Sequence, residues 1–470
     1  MSEESFSATE NMTASQKVHG PLAENVETFV MAIIMAVLLK YFIVEAYKIP
    51  TGSMQPTLIG DAHSKIQDRI LVDKLSYKFH APKRWEVSVF RYPLDRSKTF
   101  VKRIAGVGPE ELKIQYGDVW NRQPGEPWKI LRRPRDVQES VWKRLDDHPD
   151  HGGPFWEGLV GEWDIAGRDL AVKGNGTAQF KTNSPSVIDS YLHGYPPSVA
   201  RHLSGAGKGG GSNPVGDLRL EGRLKAKAET RSVQVVLKEG QRRYRFSLPG
   251  PKASDDARPR IEINGAKDSS ATLDAPWRLA SDADTPFAVQ NMDDLLQLEI
   301  DGEIVLTLEI DPAVIQSSGV FLEVEGEGAA LSDARVYRDI YYTPSGSRSV
   351  SIPEGQYFML GDNTQESSDS REWRYSILDL DEEVWPVGSV RGNLRRGENP
   401  RVVGVGDPNG PKTHFIDEWG EPHWFGNDEI QARRTESSPF VPKEMILGKA
   451  VAVFWPLDPR RAIFRPRWVN

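Results

Sequence analysis

Ser53 stands in the run IPTGSMQP (49–56), and Lys102 stands further along in FVKRIAG (100–106). A serine hydroxyl becomes a strong nucleophile when a neighbouring base takes its proton, and an uncharged lysine amine can be that base. The reference lysine pKa is about 10.4, so the amine must be desolvated before it serves near neutral pH; burial lowers such a value by roughly 3 to 5 units. Lys102 has suitable neighbours in Phe100, Val101, Ile104 and Ala105. On a strand, Lys102 shares a face with Phe100, while Val101 and Arg103 share the other. Taken alone, a lysine on such a strand is more often an edge charge, and Ser53 reads equally as a turn or helix-cap serine. Pro50, Gly52 and Pro56 force an extended or tight path that would expose the Ser53 hydroxyl.

The elements that must hold these two groups follow from the rest of the chain. With 470 residues and 38% hydrophobic content, it is long enough for two or three folded units. The formal charge of −8 gives no basic field of the kind nucleic-acid binders carry, so no nucleic-acid partner is expected. There is no cysteine, which excludes disulfides, thiolate metal sites and cysteine nucleophiles. Just before Ser53, residues 28–44 read TFVMAIIMAVLLKYFIV with one charge, Lys40, near the end where it can snorkel. A membrane anchor is expected over 28–46, after a tail at 1–27; a core helix or a cleavable leader are the other readings. The tail has Lys17 beside Glu3, Glu4, Glu10, Glu24 and Glu27, so charge bias does not fix orientation.

Beyond the anchor, IQDRILVDKLSYKF (66–79), EVSVFRYP (86–93) and FVKRIAGVG (100–108) read as short strands. From about 131 to 330 the pattern changes to closely spaced alternating strands such as DLRLEGRL and SVQVVLKE. LLQLEI and EIVLTLEI, joined by Asp301-Gly302, predict a type I′ hairpin. This stretch predicts an all-β sandwich of roughly 200 residues. The glycine-rich run 205–213 reads as a flexible loop. Strand-like sequence resumes at RVYRDIYYT (335–343). The fold class is therefore mainly β: one discontinuous domain at 47–130 and 331–470, with a sandwich at 131–330 inserted on a surface loop.

Four segments in fixed order give these residues a context. IPTGSMQPTL (49–58), DRILVDKLSYKF with VFRYP, FVKRIAGVGPE (100–110) and EGQYFMLGDNTQESSDSREW (354–373) resemble the boxes of the bacterial serine-lysine class of type I signal peptidases. VPKEMILGKAVAVFWP (441–456) resembles that family's closing strands. The resemblance implies Ser53 as nucleophile and Lys102 as base, with the Ser53 N–H and the Thr51 hydroxyl holding the oxyanion; Thr51 stands where serine is usual. It implies Ser367 as the group that orients the lysine amine. Asp369 and Arg371 are implied as an ion pair beneath the site, with Gly361, Asp362, Asn363 and Ser370 shaping the turn and Arg103 structural. Ile49, Pro50, Met54, Phe100 and Val101 match positions lining shallow pockets for small side chains before the cut; their other reading is core packing. Thr364 stands where the family commonly has arginine, and Arg374 where glycine is common.

The implied activity is removal of signal peptides from exported preproteins, by a single-pass protein of the bacterial plasma membrane with its catalytic domain outside and its N-terminus in the cytoplasm. Preproteins and membrane lipid are the implied partners, and no cofactor or metal is expected. The insert resembles concanavalin-like sandwiches in outline, which makes a carbohydrate or cell-wall ligand one reading and a packing role the other. Tryptophans in WEGLVGEW (156–163) would be its stacking platform or part of its core. His148 and His151, in a polar loop without further ligands, read as solvated. The rival for the whole chain is an anchored carbohydrate-binding or scaffolding protein on an inactive peptidase fold. A self-cleaving repressor-type protease shares the dyad logic but needs a DNA-binding head. Residues 374–440 are assigned no function.

Overall fold

A computed structural model describes residues 21–470 apart from 147–154, 183, 192, 204–210, 265, 345–348, 395–398 and 405–409. The glycine-rich run through 210, His148, His151 and residues 1–20 of the tail lie outside the described residues. An antiparallel sheet carries the boxes read from the sequence. Its strands lie in the order Val44–Lys48, Arg69–Asp73, Ile446–Trp455, Val87–Arg91, Thr99–Val107, Gln356–Leu360 and Phe440–Pro442. Strands that lie far apart in sequence are thus neighbours, which joins residues 44–107 to residues 356–455. Arg69–Asp73 alternates in burial as a half-covered strand should, whereas Val87–Arg91 is buried on both faces until its last residue. Ile49, Met54, Leu58, Ile70, Val72, Val87 and Val89 pack into one apolar cluster, and Phe90, Tyr92, Ile104, Tyr357, Met359 and Trp373 into another.

The sandwich is a 13-stranded sheet among the described residues, whose path runs from Ala266–Thr272 to Glu303–Glu309 and brings those end strands back into contact. Its core gathers Trp156, Leu220, Val235, Phe246, Val289, Leu298, Leu322 and Val336. The hairpin expected at Asp301-Gly302 forms, with φ of 51° and 85° at the two turn residues, as a type I′ turn requires. The expected change of unit between 330 and 331 falls inside the strand Gly328–Arg338, which pairs with Leu218–Ala226; hydrogen bonding carries the sandwich on to Arg338. At the other edge, the helix Arg135–Val141 sends Val137 and Val141 into a cluster with Trp85, Ala105, Leu112 and Phe358, outside the sandwich core. Residues 374–437 form two small sheets over Leu378, Val390, Phe415 and Phe425. Asn399 joins them by bonds to the carbonyls of Asn393 and Ile416 and from the Ile416 N–H.

The N-terminal helix, Pro21–Leu38, passes through a π turn, Leu39–Ile43, directly into the strand Val44–Lys48. The anchor expected over 28–46 is therefore too long at its end: Val44, Glu45 and Ala46 pair with Asp73, Val72 and Leu71. Among the described residues no helix is long and apolar enough to cross a membrane.

Where the sandwich meets the rest of the fold, Asp118, Asp217 and Asp293 are buried with carboxylate oxygens within 4.8 Å of one another, a spacing that could hold a cation. Arg133, also buried, donates to Asp293 at 3.2 Å and to Asp339 at 2.6 Å. Burial first, and then the neighbouring acids, push Asp118 and Asp217 well above the usual carboxylate range. Folding therefore takes up protons here. The stability this gives is fully present below the unfolded carboxylate pKa of about 4 and is lost as pH rises through the elevated folded values. Asp118→Asn is expected to raise the melting temperature at pH 8, by about 2 to 4 °C for each kcal/mol recovered, and to change it less at pH 5. Thermal melts at the two pH values check this.

Candidate active site

Ser53 lies in a short 3₁₀ turn, Gly52–Met54, which begins after Thr51 in extended backbone. Gly52 is needed here because the side chain of Gln55 folds back beneath it: a methyl group added to Gly52 would lie 3.1 Å from Gln55 Oε1. Met54 points into the core below the turn and Leu58 follows it, so the apolar pattern holds the turn down while Ser53 stays half-exposed. Lys102 sits in the middle of Thr99–Val107, paired across the sheet with Ser88, and is only 2% exposed. Its Nζ donates to Ser53 Oγ at 2.5 Å and lies 5.7 Å from the centre of the Phe100 ring, on the face that strand alternation predicts. Burial pushes its pKa down to about 8, against the pull of Asp369 and Asp362 and with the help of Arg371.

Ser53 and Lys102 open on a cleft of about 400 Å³. Ile49, Pro50, Met54, Phe100 and Val101 all line it, as does Thr51, whose side chain makes no capping hydrogen bond. Glu366 and Ser368 complete its wall; sequence reasoning missed both, because only the fold of the 361–371 loop brings them to the rim.

That loop is locked by charge. Asp369 accepts from Arg371 at 2.8 Å through both oxygens, and its Oδ2 also accepts the Gly361 N–H. Arg371 also donates to the carbonyls of Thr343 and Thr364. Ser370 Oγ accepts from the Met359 N–H at 2.8 Å. Asn363 donates from its amide to the Gly52 carbonyl and from its backbone to the Ser53 carbonyl, tying the loop to the Ser53 turn.

Arg103 is fully buried and makes a two-pronged pair with Asp362, at 2.9 and 2.8 Å, and its remaining donors reach the carbonyls of Trp85 and Asn470. Asp362 does more than shape a turn. Burial works against its charge, yet Arg103, Thr57 and Lys143 outweigh that and hold its carboxyl below the usual range. The available signal was strand alternation, which turns Arg103 away from the cleft into a core where a guanidinium needs an acid. The partner itself lies 259 positions away and could not be read from spacing.

Ser367 departs from expectation. It is 5% exposed and close to the site, since a methyl group on Gly361 would meet both Ser367 Oγ and the Ser53 carbonyl, at 2.1 and 2.5 Å. Its hydroxyl makes no hydrogen bond, however, so the expected bond to the lysine amine is absent; Lys102 points at Ser53 instead. Of the two readings for the tryptophans at 156–163 the core reading holds: Trp156 is buried edge-on against Phe180, and Trp163 packs on the same core.

Gly361→Ala is expected to lower turnover at least about a hundredfold, because the added methyl displaces the Ser53 carbonyl; steady-state kinetics beside a thermal melt measure it. Arg103→Met leaves Asp362 as an unpaired buried charge and should cost about 3 to 5 kcal/mol, read by denaturant unfolding.

A family model for signal peptidase, peptidase S26, matches residues 22–137 and 310–390, on either side of most of the sandwich. Signal peptidase I of Leptolyngbya laminosa is 33% identical over 192 residues, which take in 36% of this chain and 90% of the relative. Probable signal peptidase I-2 of Synechocystis is 37% identical over 100 residues, 20% of this chain and 43% of the relative. Among solved structures, a carbohydrate-binding module from Bacillus subtilis covers 40% of this chain and 95% of its own, at 11% identity and a TM-score of 0.23. The coverage of the Leptolyngbya relative, with the two-part family match, shows that the chain belongs to the peptidase S26 family as a signal peptidase I.

Proposed function

We propose that this signal peptidase cleaves its preproteins with a Ser53–Lys102 dyad and works at the outer face of a bacterial plasma membrane, to which its N-terminal segment holds it. The observation that carries this reading is the 2.5 Å contact between Lys102 Nζ and Ser53 Oγ in a cleft with an apolar lining. When the lysine is uncharged, the serine hydroxyl donates to it across the same contact. Ser53 Oγ attacks the scissile carbonyl as its proton passes to Lys102. The oxyanion is held by the Ser53 N–H and the Thr51 hydroxyl. Lys102 then gives its proton to the departing amine, and water, deprotonated by the same lysine, hydrolyses the acyl ester. Ile49, Pro50, Met54, Phe100 and Val101 form shallow seats for the small side chains one and three residues before the cut. Asp369 with Arg371, and Asp362 with Arg103, keep the loop rigid beneath the lysine.

Several features support the membrane placement. Val26, Phe29, Val30, Met31, Ile33, Ile34, Met35, Val37 and Leu38 are all exposed, so apolar side chains cover most of the first helix's circumference and no described residue buries them. Such a surface suits a lipid environment, and the helix leads by one turn into the sheet that carries Ser53 and Lys102. A substrate held in the same bilayer by its own apolar segment then meets the cleft near the surface. On this reading the peptidase unit comprises residues 47–142 and 339–470, interrupted by the sandwich at 143–338.

The test is cleavage of a preprotein bearing an Ala-x-Ala site by the detergent-solubilised chain, mapped by mass spectrometry. A cut after the second alanine, lost in Ser53→Ala and Lys102→Ala, is expected; an intact substrate with folded protein would sink the reading. Lys102→Arg should be folded and inactive, since arginine stays charged. For the native chain, kcat/KM should rise about tenfold per pH unit and level off around pH 8, the value to which burial lowers Lys102. Thr51→Val should lower kcat by about a hundred- to a thousandfold, with Thr51→Ser near native.

A further inference from the structure

The inserted sandwich unit covers the side of the nucleophile turn that faces away from the cleft. Tyr191 and Tyr195 both donate their hydroxyls to Gln55 Oε1, the latter at 3.0 Å. The Gly60 carbonyl can only accept, so Gln55 Nε2 donates to it at 3.2 Å and Oε1 is turned toward the two phenols that hold it. Gln55 is buried, and its amide is the surface on which Gly52 rests. Gly60 in turn backs Thr51: a methyl group added there would lie 2.4 Å from the Thr51 carbonyl oxygen. The backbone on either side of Ser53 is thus seated on one carboxamide whose oxygen is held by two residues of the insert.

The tyrosines are themselves anchored. Tyr195 is buried with Ile59, Ile66, Val199 and Ile463, a cluster shared between insert and peptidase, and Tyr191 packs against it. Arg338 donates to the Ser190 carbonyl at 2.6 Å, and Gln365 donates to the Asp189 carbonyl at 2.6 Å. Lys143 of the insert reaches the Asp362 carbonyl at 2.9 Å, a second grip on the loop that holds Ser53. Neither tyrosine lines the cleft, so neither is positioned to touch substrate.

We propose that Tyr191 and Tyr195 are positioning residues for the nucleophile turn, so that through Gln55 the inserted unit is required for full turnover by this peptidase. The proposal rests on Ser53 being the nucleophile. The experiment compares the full chain with Tyr191→Phe/Tyr195→Phe, Gln55→Met, the triple combination and Ser53→Ala, on the same preprotein. Phenylalanine keeps each ring in its apolar seat, and thermal melts confirm that the variants are folded. The tyrosine pair should lose between about tenfold and a hundredfold in kcat, with KM within about twofold. Adding Gln55→Met to it should cause little further loss, because both act through one carboxamide. Native kcat in the tyrosine pair, or losses that simply multiply in the triple variant, would overturn the inference while an inactive Ser53→Ala leaves the dyad standing. Cleavage retained by Ser53→Ala would instead remove the reading underneath.

Discussion

A lysine amine is buried against a serine hydroxyl, and the rest of the peptidase unit is organised around that contact. Placing Lys102 in the centre of an antiparallel sheet strips water from it, which lowers its pKa to about 8. The loop that reaches Ser53 also brings two carboxylates, Asp369 and Asp362, whose charges act in the opposite direction. Each is matched by a buried arginine, Arg371 and Arg103, in a two-pronged pair. The pairs therefore do two things: they fix the loop that grips the Gly52 and Ser53 carbonyls, and they limit how strongly nearby acids restore the charge on the lysine.

The insert is joined to this unit by polar contacts as well as apolar ones. Lys143, Gln365, Tyr191 and Tyr195 make specific hydrogen bonds across the joint, while Arg133 pairs with buried Asp293 and Asp339 close to Asp118 and Asp217, whose carboxyls burial and the neighbouring acids push well above the usual range. Such a joint specifies geometry more than it adds stability, because buried charges recover only part of their desolvation cost. That suits an element whose contacts end at Gln55, two residues from Ser53.

The chain left clear local traces: Lys102 beside Phe100 on one strand face, the Pro and Gly residues framing Ser53, and the hairpin at Asp301-Gly302 all took the form that local backbone rules require. The end of the anchor and the end of the sandwich did not, because β-branched and apolar residues suit a membrane helix, a core helix and a strand alike. Val44–Ala46 became strand only because Leu71–Asp73 was there to pair with it. Ala329 to Arg338 stayed with the sandwich because Leu218–Ala226 offered the ladder. For Ser367, proximity to the site was legible, but the direction of one hydroxyl was not.

By itself the sequence determined the local chemistry: which residues could act as nucleophile, base and oxyanion donor, that the fold is mainly β, and that one domain is interrupted by another. These are properties of side-chain type and of short-range periodicity. The tertiary structure decided the partners. That Arg103 answers Asp362, that Gln55 is held by two tyrosines of the insert, and that three aspartates share a buried joint all depend on long-range pairing. A hydrogen bond or an ion pair is made by proximity in space, and sequence spacing carries no record of it once the chain has crossed from one sheet to another.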